Sequence, residues 1–176
     1  YRNMNPLEHY LFHGKKRGRL CFNVGQIGIE KTKKTDARPL ISVIVASYNY
    51  AEFLPQTLDS LLSQTYTNFE IVIVDDGSTK DDTLKIAKEY EAKYPNIVKA
   101  VHQENGGHGE AVNTGLKHAT GRFFKVVDSD DWVDSKSYKR MLATLRSFEE
   151  GEEPDMVIAN YVYEKVGAKR KKVIHY

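Results

Sequence analysis

Residues 40–47 read LISVIVAS, a short apolar run without a charged residue and without helical spacing. A strand covered on both faces needs such a run, because neither of its two alternating sets of side chains meets water. Three comparable runs follow along the chain: FEIVIVDD (69–76), NIVKAVHQ (96–103) and RFFKVVD (122–128). Lys99 and His102 interrupt NIVKAVHQ, the third of the four runs, which is therefore predicted to lie nearer an edge. We predict four strands of a largely parallel sheet.

The segments between these strands carry helical patterns. EFLPQTLDSLLSQ (52–64) places leucines at a spacing of three and four residues, and Ser78 is a candidate cap for the helix that follows the second strand. GEAVNTGLKHAT (109–120) and the residues after Ser135 complete the series, and DMVIANYVYE (155–164) is predicted as a fifth strand. Regular alternation of strand and helix predicts an α/β fold, with a mostly parallel sheet covered by helices on both faces.

The N-terminal region has a different character. Residues 1–38 contain one short helix signal, with Asn5 as a cap and Gly14 as a stop, followed by the polar stretch KKTDARP. We predict a helical segment and linker over 1–38 and one main domain over 39–176. The chain begins at Tyr1 and ends on a polar stretch, which predicts a fragment of a longer protein.

Composition excludes several classes of protein. A net charge of +2 over 176 residues gives no reason to expect a nucleic-acid partner. One cysteine excludes an internal disulfide framework and suits a cytoplasmic location. No apolar run approaches the length of a membrane span. The basic run KRKK (169–172) is interpreted as a solvated turn, with peripheral contact to an anionic inner membrane face as the alternative. The oligomeric state stays open.

Three predicted strand ends are chemically distinctive: ASYN (46–49), VDDGS (74–78) and VDSDD (127–131). The carboxyl ends of parallel strands meet at one edge of a sheet, where ligands of such folds bind. Asp128, Asp130 and Asp131 offer hard oxygen ligands of the kind that Mg²⁺ or Mn²⁺ prefers. The alternative is an acidic turn that faces water.

Each of the other motifs also has two interpretations. Asp75 and Asp76 either form a tight turn with the following glycine or accept hydrogen bonds from a ligand. Tyr48 either packs against the protein or stacks on a planar base. The glycine-rich NGGHGEAVN (105–113) is either a plain turn or a phosphate contact at a helix start, although it lacks the spacing of a P-loop. Together these motifs predict a nucleoside diphosphate site with a bridging metal.

The stretches VIVASYNYAEFLPQTLDSLLSQTYTNFEIVIVDDGST (43–79) and NGGHGEAVNTGLKHATGRFFKVVDSDDWVD (105–134) resemble the family 2 glycosyltransferases, which have the GT-A fold. The resemblance runs from about Leu40 to about Tyr163 and suggests a bacterial enzyme of polysaccharide or cell-envelope synthesis. It implies metal-dependent transfer, with inversion, of a sugar from a nucleotide sugar, usually a UDP-sugar. The acceptor would be a hydroxyl of a glycan or a lipid-linked molecule.

The resemblance also implies roles for individual residues. The metal, Mn²⁺ or Mg²⁺, would be held by Asp128, Asp130 and Asp131. The nucleotide sugar would be bound by residues of all the strand ends, namely Ala46, Ser47, Tyr48, Asp76, Asn105, Gly107, Ala111, Asp128 and Ser129. The general base is expected beyond Tyr176, so no catalytic residue is assigned.

Two other functions are considered, and the sequence argues against the second of them. The chain could hold a nucleotide sugar as a binding module without transferring it. A nucleotidyltransferase would instead carry a glycine-rich signature with Arg and Lys near the first strand, which ASYNYAEF (46–53) lacks.

Overall fold

A computed structural model of the chain describes residues 21–23, 38–63, 68–148, 154–164 and 171–175. Its helices are α1 (Leu54–Leu62), α2 (Thr83–Lys93), α3 (His108–His118) and α4 (Ser135–Ser147). Its strands are β1 (Cys21–Asn23), β2 (Ile41–Ser47), β3 (Phe69–Asp76), β4 (Val98–Gln103), β5 (Phe123–Asp128), β6 (Met156–Ile158), β7 (Tyr161–Tyr163) and β8 (Lys172–Ile174).

The described residues fall into two compact units. One unit lies within Lys34–Lys139 and contains the parallel sheet β4-β3-β2-β5. The other takes its described residues from Cys21–Asn23 and from Arg140 onward. In this second unit β1 pairs in parallel with β6, while β7 and β8 form an antiparallel pair.

The strand order determines where the helices lie. The chain steps from β2 to β3 to β4 in one direction and then crosses back over the sheet to β5. Because such crossovers are right-handed, α1 and α2 cover one face and α3 covers the other. The predicted α/β architecture, a mostly parallel sheet with helices on both faces, is confirmed.

The sheet is buried on both sides, as its continuous apolar runs predict. All seven residues of β2 are buried. On the α3 face, Ala46, Val72 and Val74 pack against Ala111 and Val112. Gly115 on the same helix lies directly over Ile44, and an added Cβ would overlap the isoleucine side chain. The missing side chain therefore sets how closely α3 approaches β2.

We expect Gly115→Ala to lower the free energy of unfolding by about 1–3 kcal/mol, the usual cost of overpacking a core. Gly109→Ala is the matched control on the same helix, because an added Cβ there meets no atom within 4 Å. Urea unfolding of both variants makes the measurement. A Gly115→Ala variant as stable as Gly109→Ala would show that α3 can move away from the sheet without cost.

Three predictions need correction or fall outside the described residues. Residues 155–164 do not form one fifth strand, because the exposed residues Ala159 and Asn160 separate β6 from β7. Among the described residues, neither of these two strands pairs with the four-stranded sheet. Ser78 does not cap a helix, since α2 begins at Thr83. The helix predicted near Asn5 lies outside the described residues, and the domain boundary at residue 38 stays a prediction.

The described helices include none with the length and apolar character that a membrane span requires.

Candidate functional site

The sheet reverses its direction of growth between β2 and β5, and this point marks the candidate site. The two strands are neighbours, with Ala46 in register with Asp128 at their carboxyl ends. In open α/β sheets the loops diverge at such a point and leave a crevice for a ligand. The acidic residues predicted from the sequence therefore stand at the position that the topology favours for binding.

The acidic turn, residues 128–131, follows β5 directly. Its backbone closes through a hydrogen bond of 3.0 Å from the Asp131 N–H to the Asp128 carbonyl. The side chains of Asp130 and Asp131 are exposed, whereas Ser129 is buried. This geometry directs carboxylates outward from a turn whose middle is anchored in the protein.

Helix α1 anchors the acidic turn. Thr57 Oγ1 donates to the Ser129 carbonyl at 2.8 Å, and Ser60 Oγ accepts from the Val133 N–H at 3.2 Å. The first of these bonds is buried, so it is shielded from competition with water. Thr57 and Ser60 thus set the position of the loop that carries the acidic residues.

The acidic turn bears a charge that the protein only partly compensates. Burial raises the pKa of the Asp128 carboxyl. His108, whose Nε2 lies 3.9 Å from Asp128 Oδ1, lowers this pKa, whereas the charge of Asp130 raises it further. Although the Asp131 side chain is exposed, its partial desolvation raises the pKa of the carboxyl, and the charges of Asp128 and Asp130 raise it further. Burial lowers the pKa of the Lys125 ammonium, although Asp131 and Asp128 oppose this. A bound cation would stabilise all three carboxylates in their charged form.

The side chains of the acidic turn suit a divalent cation that a bound diphosphate also coordinates. The part of the chain that the structure describes has no group of three or more His, Cys, Asp or Glu residues arranged for a metal ion. Mg²⁺ sites commonly use only one or two carboxylates together with substrate phosphates and water. Asp128 and Asp130 provide oxygen ligands of this kind, so the donor set fits a hard cation that a diphosphate helps to bind.

Asp76 organises the loop between β4 and α3. Its carboxylate is buried and accepts three hydrogen bonds, from Gln103 Nε2 at 2.7 Å and from the Gly106 and Gly107 N–H groups at 2.8 Å each. The Asn105 side chain donates to the Asp76 carbonyl at 3.0 Å. The Gly107 amide expected to face phosphate thus points at Asp76 in this structure. Asp76 therefore positions the loop through the hydrogen bonds that its carboxylate accepts.

Gly77 permits the close approach of these two segments. Its φ is +73°, a conformation that L side chains rarely adopt, and an added Cβ would lie 2.7 Å from the Asn105 backbone nitrogen. The tight turn, one of the two interpretations of residues 74–78, therefore allows the glycine-rich loop to contact the end of β3.

The loop that carries Tyr48 is fixed to the loop after β3. Asn49, at a φ of 54°, donates from its N–H to Ser78 Oγ at 2.8 Å, while its Oδ1 accepts from the Thr79 and Lys80 N–H groups at 3.1 and 2.9 Å. The adjacent Tyr48 ring is 43% exposed. An exposed ring on a loop fixed in this way is available for stacking on a planar group.

Other residues that the sequence singles out lie below the surface of the site. Ala46 and Ala111 are buried in the cluster between the sheet and α3, and Ala111 is fully buried. Ser47 is also buried, and neither its Oγ nor Asp75 Oδ1 has a partner among the described residues. Asp75 Oδ2 lies 2.7 Å from His102 Nδ1. Buried in this way, Ala46, Ser47 and Ala111 offer little surface to a ligand, and their contact with a nucleotide sugar stays a prediction.

Sequence reasoning missed Thr57, Ser60 and Asn49, which position the loops. Thr57 and Ser60 sit three residues apart on a helix whose other inward positions are leucines, and this polar pair on an apolar face is the signal that was available. The partners Ser129 and Val133 lie more than seventy positions away along the chain. Only the folded chain shows the connection.

Comparison with known proteins gives a consistent result. The family model described as "Glycosyl transferase family 2" matches residues 42–175. The chain is similar to the putative glycosyltransferase EpsH of Bacillus subtilis (strain 168), with 44% identity over 126 residues, which cover 72% of this chain and 35% of EpsH. The chain therefore spans about a third of the length of this curated relative.

Two solved structures share the architecture. S. aureus TarS 1-349 in complex with UDP-GlcNAc is 38% identical, with a TM-score of 0.51, over 58% of this chain and 30% of that chain. The mannosyltransferase PcManGT from Pyrobaculum calidifontis, in complex with GDP-Man and Mn²⁺, is 26% identical, with a TM-score of 0.54, over 80% of this chain and 39% of that chain.

Proposed function

The chain belongs to glycosyl transferase family 2, and from this premise we propose that it serves the transfer of a sugar from a nucleotide-sugar donor to a hydroxyl acceptor. Its sheet and helices are those of the GT-A fold. The observation that carries the proposal is the acidic turn at residues 128–131, which α1 holds at the point where the sheet reverses direction. The acceptor that we propose is a glycan or a lipid-linked molecule.

The proposed roles follow from the geometry. Asp130, together with Asp128, would hold Mn²⁺ or Mg²⁺, with Asp131 supporting the turn. When bound, the cation stabilises the negative charge on the departing diphosphate. Tyr48 offers its ring to the base, and Asp76 keeps the glycine-rich loop in place beside the nucleotide. Inversion requires a general base on the opposite side of the sugar, and we assign none of the described residues to that role.

UDP is the nucleotide that we propose for the donor. The sequence identity is greater to TarS, whose structure contains UDP-GlcNAc (38%), than to PcManGT, whose structure contains GDP-Man (26%), although PcManGT has the higher TM-score, 0.54 against 0.51. The presence of Mn²⁺ in the latter supports a divalent metal here. A cytoplasmic location belongs to the same proposal and is supported by the single cysteine, with peripheral contact to the inner face of the membrane through KRKK (169–172) as the alternative to a solvated turn.

Calorimetric titration with UDP tests the proposal. We expect binding in Mn²⁺ or Mg²⁺ and at least a tenfold loss of affinity, about 1.4 kcal/mol, in excess EDTA, because the carboxylates then repel the diphosphate. GDP titrated in the same buffers separates a uracil preference from general diphosphate binding. Equal affinity with and without the metal would exclude the metal role, and no binding to either nucleotide would contradict the proposed function.

A binding module without transfer is the second candidate, since no general base is assigned within the described residues. Incubation with a UDP-sugar and candidate acceptors distinguishes the two. Metal-dependent nucleotide binding with no glycosylated product would favour the module, whereas product formation would favour the transferase.

A further inference from the structure

Trp132 is the single tryptophan of the chain and follows the acidic turn directly. Its side chain is 48% exposed. An indole buries roughly 150–250 Å² when it packs into a protein, so leaving half of it in water forgoes a large stabilisation. Exposed aromatic rings beside a candidate site are therefore candidates for ligand contact.

The loop that presents Trp132 is braced on both sides. On the N-terminal side, the Ser129 carbonyl accepts from Thr57 Oγ1 at 2.8 Å. On the C-terminal side, the Val133 N–H donates to Ser60 Oγ at 3.2 Å. Helix α1 thus fixes the backbone before and after the indole. A ring held in this way loses little conformational freedom when a ligand stacks on it.

The strand order indicates which part of a donor would reach this ring. In the proposed function the base lies near Tyr48, which follows β2, and near Asp76, the last residue of β3, while the diphosphate lies at the acidic turn at the end of β5. The sheet runs β4-β3-β2-β5, so a donor laid across its carboxyl edge extends from base to diphosphate toward β5. The sugar is the next group of the donor, and Trp132 is the next residue after the acidic turn.

The chemistry around Trp132 favours a sugar over a lipid surface. A pyranose presents a face of C–H groups that an aromatic ring can cover and a rim of hydroxyls that carboxylates can accept from. The neighbouring Asp130 and Asp131 are both exposed. The same carboxylates would be repelled by an anionic membrane surface. The surroundings therefore match a neutral, hydroxyl-rich ring.

We propose that Trp132 is a platform for the donor sugar, with the indole stacked on the C–H face of the pyranose while the adjoining acidic turn holds the diphosphate. This inference rests on the proposed function, and it adds a residue that discriminates a nucleotide sugar from the bare nucleotide. It also predicts that the platform contributes to the choice of sugar.

The test compares each nucleotide sugar with its parent diphosphate in Mn²⁺. UDP-GlcNAc, UDP-glucose and UDP-galactose are set against UDP, and GDP-mannose against GDP, by calorimetry and by tryptophan emission. Because the chain has one tryptophan, the emission reports on Trp132 alone. We expect at least one nucleotide sugar to bind about three- to tenfold more tightly than its diphosphate and to shift the emission in a way that the diphosphate does not.

Substitutions then locate the effect. Trp132→Ala should bind the nucleotide sugar within about twofold of its parent diphosphate, so that the three- to tenfold advantage is lost. The affinity for the diphosphate itself should stay unchanged. Trp132→Phe should retain part of the advantage, because a smaller ring still covers the C–H face. Phe124→Ala is the matched control, since Phe124 is an aromatic residue of similar exposure, at 52%, that lies in β5 rather than in the braced loop. It should keep the full advantage.

Several outcomes would overturn the inference. If Trp132→Ala weakens diphosphate and nucleotide sugar equally, Trp132 supports the loop and does not meet the sugar. If the variant keeps the advantage, or if no wild-type nucleotide sugar binds more tightly than its diphosphate, the sugar does not stack on this ring. These results leave the nucleotide site intact, whereas failure of the diphosphates themselves to bind contradicts the proposed function.

Discussion

Asp130→Asn is expected to abolish the metal dependence of nucleotide binding while the protein stays folded. Substitutions in the shell around a metal site already cost about 10–100-fold in metal affinity, so loss of a direct carboxylate ligand should cost at least as much. Calorimetric titration of UDP in Mn²⁺ gives the affinity. In the variant this affinity should fall to the value that wild type shows in EDTA.

Stability separates this effect from misfolding. Asp130 is exposed and lies between two other carboxylates, so removing its charge relieves repulsion and should not lower the free energy of unfolding. Asp82→Asn is the matched control, because Asp82 is an exposed carboxylate at the start of α2 and makes no side-chain cap. The control should bind UDP as wild type does. An Asp130→Asn variant with wild-type, metal-dependent affinity would mean that the acidic residues form only a turn.

Asp76→Asn is expected to have the largest effect on the architecture of the site. The substitution replaces one accepting oxygen by an N–H₂ group, which faces N–H donors from Gln103, Gly106 or Gly107. Hydrogen bonds to a charged group contribute about 1.5–3 kcal/mol each, so we expect the free energy of unfolding to fall by about 3 kcal/mol or more. Nucleotide binding should weaken as well, because the glycine-rich loop loses its anchor.

Two measurements test this expectation. Urea unfolding gives the stability, and hydrogen exchange of the Gly106 and Gly107 amides reports whether the loop has detached. Glu104→Gln serves as the control, since Glu104 is an exposed carboxylate in the same loop. Unchanged exchange at both glycines in Asp76→Asn would show that the loop is held by other contacts.

The chain determines much of its sheet by local pattern alone. Continuous apolar runs such as LISVIVAS predict doubly covered strands, because a strand with helices on both sides has no face left for polar residues. The same reasoning places Asp76 and Asp128 at one edge of a parallel sheet, and the structure has both strand ends at that edge.

The prediction failed where burial does not accompany an apolar pattern. Residues 155–164 contain enough Val, Ile and Tyr to suggest a strand, yet Tyr161–Tyr163 is largely exposed and pairs only with β8 among the described residues. Strand propensity reflects what a residue packs against, and the sequence of the segment does not state its neighbours.

The sequence by itself determined the order of strands and helices within the four-stranded sheet, the family resemblance and the acidic residues of the turn. Only the tertiary structure decided how the loops are held. Thr57 donates to the Ser129 carbonyl, Asp76 accepts from the glycine-rich loop, and Asn49 accepts from the loop after β3. The reason is physical. Periodicity and turn chemistry act between near neighbours in the chain, whereas these hydrogen bonds join residues about thirty to seventy positions apart and exist only once the strands have taken their places in the sheet.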